Sequence, residues 1–245
     1  MGWFKWAGHD SRDFGMQVEH IPGIPTPERI LNEVSGPGRN GVPGRNGVLH
    51  YDTGSFSNVT VEYECWFRAY DRQRIIPELG RRINGWLLGN GFGYRPLQDS
   101  YSPDFVRMAI PATGAGEIVN QFMLHGRCTV AFNCKPQQFL LSGLRPMTIS
   151  SGATLSNRYP FEALPVIEVT GTGTGALTVG NLQVELTGMS GTLTIDCERG
   201  NAYNADNVTV ILDGGAFPSL PPGDTEISWS GGITAVRITP RWWTI

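Results

Sequence analysis

The stretch Val59-Thr60-Val61-Glu62-Tyr63-Glu64-Cys65-Trp66-Phe67-Arg68 decides the fold. Val59, Val61, Tyr63, Cys65 and Phe67 share one parity; Thr60, Glu62, Glu64, Trp66 and Arg68 share the other. Side chains of a strand alternate between two faces, so the pattern predicts a strand with one buried and one polar face. That combination belongs to an antiparallel sheet, whose second side can meet water.

Upstream, the unit Pro37-Gly38-Arg39-Asn40-Gly41-Val42 is repeated at once as Pro43-Gly44-Arg45-Asn46-Gly47-Val48. Pro fixes one backbone angle and Gly and Asn tolerate the left-handed region, so each unit is turn chemistry. Neither can continue as helix or central strand. Beside a strong strand, the repeat reads as a hairpin arm projecting from a sheet. Arg39 and Arg45 meet no following acid until Asp52, in a chain of net charge -3. A solvated loop is the ordinary reading of such residues. The sharper one is a cationic projection that docks on a neighbouring protein.

With 32 Gly and 17 Pro among 245 residues and only 17% charged residues, the composition favours many strands and turns over helices. The slightly acidic balance argues against a general nucleic-acid binder. No apolar run is long enough to cross a bilayer as a helix. Met1-Gly2-Trp3-Phe4-Lys5-Trp6 lacks the basic and apolar regions of a signal peptide, so folding in a cytoplasm is the expectation.

Cys65, Cys128, Cys134 and Cys197 lie in strand-like contexts. Cys128, Val130, Phe132 and Cys134 share a parity, and six residues of strand separate the two thiols by roughly 20 Å, beyond disulfide reach. Buried free thiols are expected. His125-x-x-Cys128 is half a zinc motif without a second ligand pair, so neither a metal nor another cofactor is expected.

Near the start, Asp10-Ser11-Arg12-Asp13 reads as a turn, after which Phe14, Met16 and Val18 alternate as a buried face. His9, Asp10 and Ser11 supply the letters of a catalytic triad, but sequence neighbours cannot readily adopt that geometry. Residues 75–88 form the one good helix candidate, with Ile76, Leu79, Ile83 and Leu87 on one stripe and Gly89-Asn90-Gly91 as its stop. Gly80 and Gly85 cost it about 1 kcal/mol each, so a sheet beneath must hold it. Residues 94–107 read as irregular chain and a short strand.

After Pro136 the aromatics thin, and Thr, Gly and Val dominate from about Ser150. Short strands at 166–169, 176–179, 182–186, 192–197, 208–212, 226–229 and 235–239 recur at the spacing of a β-sandwich. The expected domains are therefore 1–140, β with one helix and a projecting hairpin arm, and 141–245, all β. Gly171-Thr172-Gly173-Thr174-Gly175 precedes a strand rather than a helix, so it reads as a hairpin turn and not a phosphate cradle. Trp229, Trp242 and Trp243 are candidates for stacking on sugar rings, although Trp in a sandwich more often serves core or interface. No carboxylate pair or nucleophile stands out, so no catalytic residue is assigned and an enzyme is not expected.

The chain resembles the distal tail protein of long-tailed, non-contractile bacteriophages. The residues that carry the resemblance are Asp10-Ser11-x-x-Phe14-Gly15, then Val42-Pro43-Gly44-Arg45-x-Gly47 leading into Tyr51 and the strand at Val59. Trp86-Leu87 on the helix and Phe132-x-Cys134-x-Pro136 follow. In the second half come Asn157, Pro165, Gly171, Leu193-Thr194-Ile195-Asp196 and Phe217-Pro218-x-Leu220-x-Pro222-Gly223.

The resemblance implies a galectin-like C-terminal sandwich and an N-terminal domain that assembles into a homo-hexameric ring. Such a ring sits at the virion tail tip and is assembled in the host cytoplasm. It joins the tail tube protein to the tail hub protein, offers docking to receptor-binding components, and lets DNA pass without specific recognition. Ring closure needs one surface complementary to a different surface of the same chain. Arg39 and Arg45 of the arm, with Glu62 and Glu64 as acceptors, are the candidate interface residues. This chain departs from the family in carrying two copies of the arm unit. Galectins pair a His-x-Asn-x-Arg run with a Trp-Gly-x-Glu run, whereas this chain offers Trp229-Ser230-Gly231 and no His after residue 125, so galectin-type binding is not expected. The runner-up is a carbohydrate-binding module acting through the C-terminal sandwich.

Overall fold

The computed structural model describes the chain except residues 1, 22, 24, 34, 37–38, 41–45, 47–49, 69–74, 117, 122–124, 207, 209–211 and 213–214. It is mainly β, with one α-helix among the described residues. The chain forms two compact units, Met1–Gln138 and Phe139–Thr244.

In the first unit the strands are β1 (Phe4–Trp6), β2 (His9–Asp10), β3 (Met16–His20), β4 (Arg29–Glu33), β5 (Ser35–Gly36), β6 (Arg39–Asn40), β7 (His50–Phe56) and β8 (Val59–Arg68). Helix α1 (Ile75–Gly89) follows, then β9 (Arg95–Asp99), β10 (Phe105–Pro111), β11 (Val119–Gln121) and β12 (His125–Leu140). The main sheet has the order β2-β1-β9-β10-β12-β8-β3. On β8, the five residues from Val59 to Phe67 of odd number are buried, while Thr60, Glu62 and Glu64 are exposed, as the alternation predicts. β8 pairs antiparallel with β12, Cys65 opposite Cys128 and Val61 opposite Phe132, so two apolar faces merge. Residues 94–107 are more regular than expected, since β9 and β10 pair side by side with Leu97 opposite Arg107.

The helix packs on this face through Ile83, Trp86 and Leu87. A Cβ at Gly80 would come within 2.6 Å of Ile118 Cδ1, so the glycine that weakens the helix also admits its neighbour. Phe4 stacks on Tyr63 at 4.8 Å and on Trp86 at 5.6 Å, and the buried Trp86 indole donates to the Trp6 carbonyl at 3.2 Å. Ser11 to Phe14, read as a turn, form a short 3-10 helix whose Asp10 and Asp13 carboxylates cap each other's backbone N–H groups. All four cysteines are buried and free. Burial pushes the Cys128 thiol up to about 11 and those of Cys134 and Cys197 up to about 12.

The second unit holds β13 (Met147–Ile149), β14 (Ala153–Asn157), β15 (Val166–Val179), β16 (Leu182–Asp196), β17 (Asn201–Asn204), β18 (Gly223–Thr239) and β19 (Trp243–Thr244). Six short strands of the sequence reading are halves of three long ones. The Gly171–Gly175 run is no hairpin turn: it is a bend inside β15, and the turn falls at Gly180-Asn181. Opposite it, β16 carries one extra residue beside Gly188 (φ 67°), which moves the buried positions from Val184 and Leu186 to Met189, Leu193 and Ile195. A one-residue bulge flips side-chain parity and bends the strand. At the same level Gly232 lies so close to β15 that a Cβ there would sit 1.8 Å from the Thr172 oxygen. The three strands bend together, and the sheet curls over one core that holds Ile167, Leu177, Ile195, Ile227 and Ile238. The expected strand at 208–212 lies largely outside the described residues.

Candidate interaction surfaces

The arm is a two-stranded ribbon built by β4 and β7, with Asn32 opposite Tyr51 and Leu31 opposite Asp52. At its root Ser57 N–H donates to the Glu28 carbonyl at 2.8 Å. Along its length Thr53 Oγ1 donates to the Ile30 carbonyl at 2.7 Å, and Asn32 donates to the Tyr51 hydroxyl at 3.1 Å. Arg29 pairs with Asp52 and lies over the Phe56 ring. Ile30, Leu31 and Tyr51 are exposed, Tyr51 at 55%. A lone two-stranded ribbon in water is marginally stable, so apolar side chains displayed on one are surface for another molecule to cover.

Further out, β5 and β6 pair with Gly36 opposite Arg39. Arg39 therefore stands on the hairpin that prolongs the arm in sequence, and Arg45 lies outside the described residues. Glu62 and Glu64 are exposed on the polar face of β8, opposite Ala131 and Thr129, and neither forms an ion pair among the described residues. In the second unit, Trp242 is buried against Gly143, and Trp243 stacks on Phe161 at 4.4 Å while its N–H donates to the Glu162 carbonyl at 2.8 Å. Trp229 is half-buried on β18 opposite Leu177.

The sequence reading missed a cavity of about 370 Å³ in the first unit. Its walls include Ile21, Val61, Leu97 and Phe105, with Tyr63, Asp99 and Arg107 inside. Asp99 is fully engaged: one oxygen accepts from the Tyr63 hydroxyl at 2.7 Å, the other from the N–H groups of Tyr101 and Ser102 at 2.9 Å each. Arg107 is not. Its buried Nη1 has no hydrogen-bond partner among the described residues, and burial lowers its proton affinity. The sequence signal was Asp99-Ser100-Tyr101-Ser102, a turn in which Asp accepts from the backbone two residues on. Its pairing with Tyr63 needed the folded sheet. Among the described residues no group of His, Cys, Asp and Glu could hold a metal ion, and no helix is long and apolar enough to cross a membrane.

No protein-family model and no curated protein matches the sequence. Solved structures do match. The crystal structure of the SPP1 Dit protein, described as a paradigm of the hub adsorption apparatus in phages infecting Gram-positive bacteria, aligns with a TM-score of 0.75 at 11% identity. That alignment covers 100% of both chains. A chain of the phage p2 baseplate in its activated conformation with Sr aligns with a TM-score of 0.51 at 6% identity, over 97% of each chain. Across its whole length, therefore, this chain has the fold of a phage distal tail and baseplate hub component.

Proposed function

We propose that this protein is a structural component of a phage tail, forming a homo-hexameric ring at the tail tip. The ring joins the tail tube to the tail hub protein, presents its C-terminal, galectin-like unit to receptor-binding components, and lets DNA through without reading it. The role is architectural, in a virion assembled in the host cytoplasm. One observation carries the reading: the likeness to a hub adsorption protein spans both chains end to end, both units included. The exposed arm supports it, since a ribbon with no core of its own gains one by lying on a neighbour. In this reading the arm, with Arg39 and Arg45, clasps the adjacent subunit, and Glu62 and Glu64 are acceptors on it. Negative-stain imaging of the purified chain tests the proposal: six-fold rings are expected, and a chain that stays monomeric at tens of micromolar overturns it.

A further inference from the structure

Cys65 of β8 and Cys128 of β12 are register partners in an antiparallel pair of the first unit's main sheet. Both side chains enter the same core, where Cys65 is 2% and Cys128 6% exposed. Directly opposed residues of such a pair have Cα atoms about 4.5 or 5.5 Å apart, depending on whether they exchange hydrogen bonds. A disulfide spans Cα separations of roughly 4.4–6.8 Å when the two Cβ atoms lean the same way. Shared register and a shared face meet both conditions. The other two thiols do not: Cys134 stands opposite Val59, and Cys197 belongs to the core of the second unit.

Little holds the two thiols in their present rotamers. The Cys65 thiol donates to the Tyr63 carbonyl at 3.5 Å, and the Cys128 thiol to Met16 Sδ at 3.9 Å. A thiol is a weak donor, so a turn about each χ1 from one staggered well to another gives up little. Burial first, and the neighbouring Cys128 second, raise the proton affinity of the Cys65 thiol, so the two sulfurs already act on each other.

We propose that Cys65 and Cys128 form a redox-sensitive lock, joining as a disulfide when the folded chain passes from a reducing to an oxidising medium. The oxidant is a small-molecule disulfide, the class that oxidised glutathione represents. One thiolate of the pair attacks a sulfur of the oxidant and expels a small thiolate. The second thiolate then attacks the protein sulfur of that mixed disulfide and expels the other. Two protein thiols are oxidised, the oxidant is reduced to two small thiols, and these take up the two protons. Both thiols are buried, so the first attack waits on local opening of the sheet and closure is slow. Once made, the bond closes a loop of about 60 residues that contains α1, β9 and β10. The lock lies within one subunit and does not depend on the ring.

The test uses the full chain, reduced, freed of reductant and incubated folded for days with oxidised glutathione, and in parallel refolded from urea in the same reagent. In both, the intact mass should fall by two hydrogen atoms, and a non-reducing peptide map should recover Cys65 joined to Cys128. A melting transition should move up by at least about 5 °C and return with dithiothreitol. Cys65→Ala and Cys128→Ala should each abolish the cross-link and the shift, whereas Cys134→Ala should keep both. Four free thiols in both arms, or a map dominated by any other pairing, overturns the proposal without need of a variant. If the refolded chain cross-links but the folded chain keeps its thiols, the pair fits a disulfide but does not switch, and the proposal falls. A Cys65–Cys128 bond that lowers the melting temperature refutes the lock.

Discussion

The Tyr63 hydroxyl and the Asp99 carboxylate meet at 2.7 Å across 36 residues of sequence, joining β8 to the end of β9 inside the cavity of the first unit. Asp99 simultaneously holds the Tyr101 and Ser102 N–H groups, so one carboxylate ties a strand end and a turn to the far side of the core. Burial and the nearby Asp99 charge push the Tyr63 hydroxyl well above its usual range, keeping it protonated as a donor. Tyr63→Phe removes the donor and leaves a half-buried carboxylate oxygen short of its partner. Urea unfolding of the monomer should show a loss of about 1–2 kcal/mol, the cost of an unmade part-buried hydrogen bond to a carboxylate.

The bend of the second unit should be intolerant of a single methyl group at one glycine and tolerant at another. Gly232→Ala drives a Cβ into the Thr172 oxygen of a paired strand, and backbone cannot step aside as a side-chain tip can. A loss of about 3 kcal/mol or more is expected. Gly188→Ala meets no atom and bears only the strain of its positive φ, about 1–2 kcal/mol. Thermal unfolding of the two variants side by side measures the difference; equal losses would mean that close approach does not set the bend.

All four thiols should be silent to Ellman's reagent at pH 8 in the folded chain and should react together after denaturation. The thiols titrate higher folded than unfolded, because burial disfavours the thiolate. Their contribution to stability is therefore fully present below the ordinary thiol value of about 9 and is lost as the pH climbs from 9 toward 11 and 12. Urea midpoints measured from pH 7 to pH 11 should fall over the upper half of that range, and less steeply in Cys128→Ala.

Deleting one copy of the six-residue arm unit, residues 37–42, should weaken the assembly without unfolding the monomer. The arm's described strands pair with each other rather than with the main sheet, so the core does not depend on them. Light scattering should report a lower mass at equal concentration, with the melting temperature within about 2 °C of the parent. An unchanged mass would make the arm an ordinary surface loop.

Local patterns were legible where one period ran undisturbed. The alternation from Val59 to Phe67 predicted both faces of β8, and the stripe through Leu79, Ile83 and Leu87 predicted α1. The proline and glycine repeat lies in sequence between the two strands of the β4–β7 ribbon, and most of it falls outside the described residues. In the second unit the same alternation misled, because the period slips at Gly188 and at the Gly171–Gly175 bend. A glycine cluster reads as a turn in one dimension, and as a bend only when the strands beside it carry glycines at the same level.

The sequence by itself determined the two faces of β8, the stripe of helix α1 and the buried thiols, since each follows from spacing within one segment and from what water excludes. The tertiary structure alone decided three things: that six short strands are three long ones, that Tyr63 answers Asp99, and that Arg107 buries a nitrogen with no partner among the described residues. Those depend on which distant segments share a level across a sheet, and no local period encodes that register.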